Sequence, residues 1–134
     1  IKAKLEGIKE LAGQIEERSP GIVAEYRQKL MDKVAELTGG TKIDEGILAT
    51  EIIVFADKIC VDEETVRLRS HIANMENTLS KGEPAGRKLD FIAQEMNREA
   101  NTILSKANDA SLSGMAIDLK TGIEKIREQI QNIE

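Results

Sequence analysis

The sequence has a single cysteine, two prolines, three aromatic residues, one histidine and no tryptophan. One thiol rules out an intrachain disulfide and a cysteine-based zinc site. Cys60 is therefore expected as a small core residue near a helix end, with a reactive thiol as the alternative. The rings are Tyr26, Phe55 and Phe91. Recognition of single strands by base stacking draws on several exposed rings, so any binding of nucleic acid has to rest on arginine, amides and backbone contacts. Shape-reading of folded RNA through phosphate and 2′-hydroxyl contacts suits that inventory better. Apolar runs fall short of the ~18–20 residues that span a bilayer, and no signal-peptide pattern opens the chain. A soluble, cytoplasmic protein is the expectation. The chain opens on Ile1 rather than Met, so it is expected to be a piece of a longer polypeptide. There is no glycine-rich phosphate loop after a strand, and no Ser–His–Asp arrangement is legible.

What is present is charge, unevenly spread. The net charge is −5, which argues against indiscriminate binding of polyanions. Residues 1–64 carry 9 basic and 14 acidic side chains, residues 65–106 carry 7 and 5, and residues 107–134 carry 3 and 5. Only the middle segment is net basic, and a local basic surface on an acidic protein can still bind nucleic acid.

Periodicity predicts an all-α fold, an antiparallel bundle of about six helices with an N-terminal hairpin or arm. Leu5, Ile8, Ala12 and Ile15 mark a first amphipathic helix ending near Ser19-Pro20. That pair then opens a second helix, Ser19 as N-cap and Pro20 in its first position, with Val23, Tyr26, Leu30, Val34 and Leu37 as its stripe. Gly39-Gly40 stops it. A third helix opens near Asp44 and turns Leu48, Ile52, Phe55 and Ile59 inward. Asp62 caps a fourth, whose first turn Asp62-Glu63-Glu64 suits the positive helix start. Its seam is Leu68, Ile72, Met75 and Leu79, and beside it run Arg67, His71, Asn74 and Thr78. Lys81-Gly82-Glu83-Pro84 is a short connection, so the next helix is an antiparallel neighbour, and the polar stripes of the two, one with Arg67 and His71 and the other with Arg87, Asp90, Gln94 and Arg98, are expected to line one groove. In the last helix Leu112, Ala116, Leu119, Ile123, Ile126, Ile130 and Ile133 alternate at bundle spacing, with Lys120, Glu124, Arg127 and Gln131 as a solvated outer face. Residues 1–40 read as a helical hairpin or arm and residues 41–134 as the main helical domain.

The fifth helix, over 86–106, has one face too many. At about 100° per residue, Leu89, Ile92, Ala93, Met96, Ala100, Ile103, Leu104 and Ala107 fall on one apolar arc. The far side reads Arg87, Asp90, Gln94, Arg98, Asn101 and Ser105, with Phe91 at its edge. Asn, Ser and Asp are mediocre helix formers, so a stripe of them needs a reason beyond solubility. It is either a second packing interface or a ligand face for phosphate, sugar or metal. Pattern alone leaves both open.

The segment GRKLDFIAQEMNREANTILSKANDA, the terminal EKIREQIQNIE and the preceding VRLRSHI together resemble the C-terminal domain of the YicC-like (YicC/YloC) family. Members are roughly twice as long, with an N-terminal domain not present here. The resemblance implies an endoribonuclease that cuts RNA with a divalent metal (Mn²⁺ or Mg²⁺), forms homo-oligomers, and acts in RNA turnover or small-RNA regulation. The family pattern falls on Arg67, His71, Gly86, Arg87, Asp90, Gln94, Glu95, Asn97, Arg98, Glu99, Asn101, Ser105 and Lys106. Metal-assisted phosphodiester cleavage needs carboxylates for a hard cation, an acid or base, and cations on the phosphate. On that division Asp90, Glu95 and Glu99 are the metal ligands, although Asp90 points away from the other two. With them His71 is catalytic as acid or base. Arg67, Arg87, Lys88, Gln94, Arg98, Asn101 and Lys106 hold RNA. The plainer reading of Glu95 and Glu99 is ion pairing with Lys88, Arg98 or Lys106 on the helix surface. Ser111 stands where many relatives have Glu, and Gly122 where they have a better helix former. An RNA-binding clamp, or a helical oligomerisation module without chemistry of its own, is the alternative function.

Overall fold

The computed structural model describes residues 1–39, 44–82 and 85–132. Among them are five helices and no strand: α1 (Lys2–Thr38), α2 (Glu45–Ile59), α3 (Asp62–Ser80), α4 (Gly86–Lys106) and α5 (Ala110–Asn132). The all-helical expectation holds. The count of about six does not, because the predicted first two helices are one.

Pro20 lies inside α1, which runs unbroken for 37 residues, about 55 Å at 1.5 Å per residue. A proline in mid-helix forfeits one backbone bond and crowds the carbonyl a turn earlier, at a cost of roughly 3 kcal/mol. Two things offset it. Ile15 and Ile22, on either side of the proline, are both buried, and each contributes about 1.5–3 kcal/mol. Arg18 also straps the turn: its Nη1 and Nη2 donate to Glu25 at 3.1 and 2.6 Å, seven residues on. The same guanidinium donates to Asp109 at the start of α5, at 3.2 and 3.0 Å. Ser19 is no cap; its hydroxyl donates back to the Ile15 carbonyl at 2.8 Å. Asp109 is a cap, its Oδ2 accepting from the Leu112 N–H at 2.9 Å.

The first half of α1 with α3, α4 and α5 makes a four-helix bundle. Cross-links give its order and direction. Lys9 meets Glu76 and Glu16 meets Arg69, Arg67 meets Glu99, Asp90 meets Arg127, and Arg18 meets Asp109. Between α1 and α3 one number rises as the other falls, as it does between α3 and α4 (Glu64 with Lys106) and between α1 and α5 (Ile8 beside Gly122), so these neighbours are antiparallel, and the short connection over 107–109 turns α5 back along α4. Helix α4 lies diagonally across from α1, between α3 and α5. The shared core holds Leu5, Ile8, Ala12 and Ile15 of α1 with Leu68, Ile72 and Met75 of α3. From α4 come Leu89, Ile92, Ala93, Met96, Ala100 and Ile103, and from α5 Leu112, Ala116, Leu119, Ile123, Ile126 and Ile130. Ile133 and residues 40–43, 83 and 84 lie outside the described residues.

The hairpin of the fold is not within residues 1–38. It is the second half of α1 with α2. Gly39, at φ 63°, ends α1 in the left-handed conformation, and Asp44 caps α2 by accepting from the Gly46 N–H at 2.8 Å. The rings of Tyr26 and Phe55 stack between them, centroids 3.7 Å apart, and the Tyr26 hydroxyl donates to Glu51 at 3.0 Å. Of the predicted stripes only Phe55 and Ile59 are buried here; Leu48 and Ile52 are half-buried, and Leu37 is exposed. With Met31, Ile47, Ile53 and Val54 also exposed, the hairpin shows water an apolar flank. Two further expectations are corrected where α2 passes to α3. Cys60 is exposed, because the tight corner turns Val61 into the core instead. Val61 is also the residue before α3, so Asp62 begins that helix and does not cap it.

Gly122 marks the close approach of α1 and α5. A Cβ there would meet Ile8 Cγ1 at 3.5 Å, an ordinary contact distance. Gly122→Ala is therefore expected to raise stability by about 0.8–1 kcal/mol, the helix-propensity difference. Thermal melting checks this, and a lowered midpoint would refute it.

Candidate functional site

Helix α4 carries three longitudinal rows besides its core face. Turned at about 100° per residue, Lys88, Glu95, Glu99 and Lys106 line the side towards α3. Asp90, Asn97 and Asn101 line the side towards α5. Between them Arg87, Phe91, Gln94, Arg98 and Ser105 form the outward meridian. Contacts agree with this division.

On the α3 side two carboxylates are nearly shut away, Glu64 at 3% exposure and Glu99 at 5%. The Arg67 Nε–H sits between both Glu99 oxygens, at 2.9 and 2.8 Å, and the rest of its guanidinium faces Glu63 and Glu64 at 3.6 and 3.7 Å. Lys106 donates to Glu64 Oε1 at 2.7 Å and to the Cys60 carbonyl at 3.1 Å. The hydrogen bond to Glu99 holds the Arg67 guanidinium above its ordinary pKa. Burial pushes the Glu64 carboxyl up, but the Lys106 hydrogen bond and the nearby cations outweigh it, and the net shift is down. Glu64 was missed in the sequence. Its position in an acidic first turn has a sufficient explanation in the helix dipole, and nothing in that pattern marks it as buried.

On the α5 side, Asp90 Oδ1 accepts from Arg127 Nε at 3.1 Å, and Oδ2 accepts from Gln94 Nε2 at 2.9 Å. Both partners of the ion pair are about three-quarters covered. Arg127 is thus no solvated outer residue but the anchor of Asp90; its helical position gave no signal of this.

The outward meridian stays open. Arg87, Phe91, Gln94, Arg98 and Ser105 are all exposed, and so is Asn101 where the α5 side meets this row. The Arg98 side chain, 74% exposed, has only a loose contact with Glu95 at 3.7 Å. Arg87 and Lys88 are exposed and have no side-chain partner among the described residues. Among the described residues no helix packs over the stripe, so it is not a packing interface between helices of this bundle. The expectation that the polar rows of α3 and α4 line one groove is corrected in part. Glu99 and Lys106 close that seam with Arg67 and Glu64, while Asp90 turns to the opposite neighbour.

The proposed carboxylates therefore do not converge. Asp90 faces α5, Glu99 is locked to Arg67, and Glu95 is near Arg98; among the described residues no three acidic, His or Cys side chains group as metal ligands. The two buried oxygens without a partner, Glu64 Oε2 and Asn97 Oδ1, lie on different sides of α4 and complete no such set. An all-protein divalent-metal centre does not fit the described residues. His71 is half-buried on α3 with no side-chain partner among them. The register that pairs Arg67 with Glu99 sets it level with the turn of α4 holding Glu95.

Fold and face together define an all-α bundle module that keeps one hydrogen-bonding helix face uncovered. The chain belongs to the family described as "Endoribonuclease YicC-like, C-terminal", which matches residues 15–134. It is 48% identical over 122 residues to "Probable endoribonuclease YicC" of Clostridioides difficile (strain 630), a match spanning 90% of this chain and 42% of that protein. It is 37% identical over 134 residues to the protein of the same name in Haemophilus influenzae, spanning 100% of this chain and 46% of the relative. The chain thus spans less than half the length of these curated relatives. No helix among the described residues is long and apolar enough to cross a membrane.

The Glu64 pair has a consequence for stability against pH. Because its folded pKa lies below the ordinary 4.5, its contribution is complete above that value and is lost as pH falls through the folded one. The melting temperatures of the parent and Glu64→Gln should differ most near neutral pH and converge as pH falls through the lowered folded value. A gap that persists into acid would contradict this.

Proposed function

We propose that the chain is the RNA-engaging helical part of a divalent-metal-dependent endoribonuclease and that the outward face of α4 is where the RNA backbone lies. The observation that carries this reading is the solvent-open row Arg87, Gln94, Arg98 and Asn101 with Lys88 at its flank, on a helix braced from both sides by ion pairs. The names of the two relatives support the activity. Guanidinium and ammonium groups neutralise phosphates, and Gln94 and Asn101 add amides that bond to phosphate or 2′-hydroxyl oxygens. Arg67 and Lys106 contribute charge to this face, but they are held by carboxylates and serve first to fix α3 against α4. Glu99 acts in the same way, as a brace. His71, with no side-chain partner among the described residues, is the side chain assigned the proton transfer. A divalent cation finds too few converging protein oxygens here. Mg²⁺ characteristically takes one or two carboxylates with the substrate's phosphates, and of the three candidate ligands Asp90 and Glu95, on different sides of α4, are the two not buried.

The test is incubation of the chain with a structured RNA, with Mn²⁺ or Mg²⁺ and with chelator. Cleavage that disappears with chelator and falls at least tenfold in a folded His71→Ala variant, while binding persists, is the expected result. Binding without cleavage would make the chain a clamp, and absence of both would leave a helical interaction module.

Assembly into homo-oligomers has its own support in the apolar flank of the hairpin, with Met31, Leu37, Ile47, Ile53 and Val54 exposed. Exposed apolar side chains gathered on one hairpin are a feature of protein contacts. If copies associate there, Ile53→Lys lowers the sedimentation coefficient towards that of a monomer, whereas an unchanged value would place the contact elsewhere.

A further inference from the structure

We infer that Phe91 is the stacking platform for one unpaired nucleobase of the bound RNA. This rests on the RNA reading of α4 and adds to it a preference for a nucleotide outside a duplex. Of the chain's three rings, Tyr26 and Phe55 are stacked on each other and so have one face each occupied. Phe91 alone stands free, 62% exposed in mid-helix, on the outward meridian and not at the edge of the core. An apolar ring left in water forgoes the burial that would otherwise stabilise the fold, and no helix of this bundle covers it.

Its surroundings identify the occupant by charge. Arg87 lies one turn before it, Gln94 about one turn after it and Arg98 two turns after it on the same row, with Lys88 beside it; all are exposed. Neither Arg87 nor Lys88 has a side-chain partner among the described residues. Lysine, unlike arginine, is depleted at protein contacts, so Lys88 beside the ring argues against a protein partner. A ring with unpaired Arg87 and Lys88 before it and the loosely held Arg98 after it matches instead a ligand that carries an aromatic plane and a phosphate within one residue's length. A nucleotide has both, whereas within a duplex the base face is already stacked and only the backbone is presented. One platform accommodates one base, so the preference is for a bulge, loop or overhang and not for a long single strand.

The probe is a pair of RNA hairpins of the same stem, one blunt and one with a short 3′ overhang, titrated against the chain in chelator so that cleavage does not intervene. Phe91→Ala should weaken the overhang RNA by about tenfold, the effect of losing one base–aromatic stack, and leave the blunt RNA within about twofold. Phe91→Trp should restore the overhang preference. Arg87→Ala with Arg98→Ala should weaken both RNAs and flatten the salt dependence. If the arginine variant loses both RNAs while Phe91→Ala changes neither, the stacking inference is overturned and the RNA reading stands. If the arginine variant changes neither, the RNA reading itself falls, and the stack with it. Should Phe91→Ala instead lower the sedimentation coefficient with RNA affinity unchanged, the ring is a protein contact and the inference is overturned.

Discussion

The arrangement of this protein depends on two carboxylates taken almost out of water at the seam between α3 and α4. A buried carboxylate is tolerated only when it is paired and hydrogen-bonded, and Glu64 and Glu99 each find a cation on the opposite helix. The two contacts run in opposite senses, Arg67 of α3 reaching Glu99 of α4 and Lys106 of α4 reaching Glu64 of α3. Such a reciprocal pair admits one register. A slip of α4 along α3 would strand both charges at once, so the pair contributes more to specificity of alignment than to net stability.

Alignment is what the open face requires. With its α3 side held by Arg67 and Lys106 and its α5 side by Asp90 on Arg127, α4 has no freedom to roll. Its third polar row must then face away from the bundle. A recognition surface gains from side chains that start on a rigid helix, because less ordering remains to be paid on binding. The acidic character of the whole chain does not oppose this. Several of its carboxylates are already matched, Glu16 by Arg69, Glu25 and Asp109 by Arg18, Glu76 by Lys9, whereas Arg87 and Lys88 keep their charge unmatched.

Residues that the sequence marked as site candidates divide by this geometry into two kinds. Arg87, Lys88, Gln94, Arg98 and Asn101 stand on the surface, while Arg67, Glu99 and Lys106 belong to the frame, and Asp90 is fastened to α5. Their spacing could not separate them, since the outward row and the α3-facing row lie only about 100° apart on one helix and both are polar. Glu64 and Arg127 were illegible for a related reason. Each has an innocuous local role, one in an acidic helix start and the other on an outer heptad position, and only a partner more than thirty residues away gives it a second.

The all-helical class, the core faces of α3, α4 and α5, the stop at Gly39 and the start at Asp44 were determined by the sequence itself, because apolar periodicity, φ > 0 at glycine and capping oxygens are properties of a few neighbouring residues. The same local reasoning broke α1 at Pro20 and buried Cys60. There the outcome belonged to distant groups: the core that takes up Ile15 and Ile22, the Arg18 bridge to Glu25 and Asp109, and the corner that gives the interior position to Val61. Which polar row of α4 remained open to solvent was likewise left to tertiary structure, since a charge is spent or free only according to what the fold brings beside it.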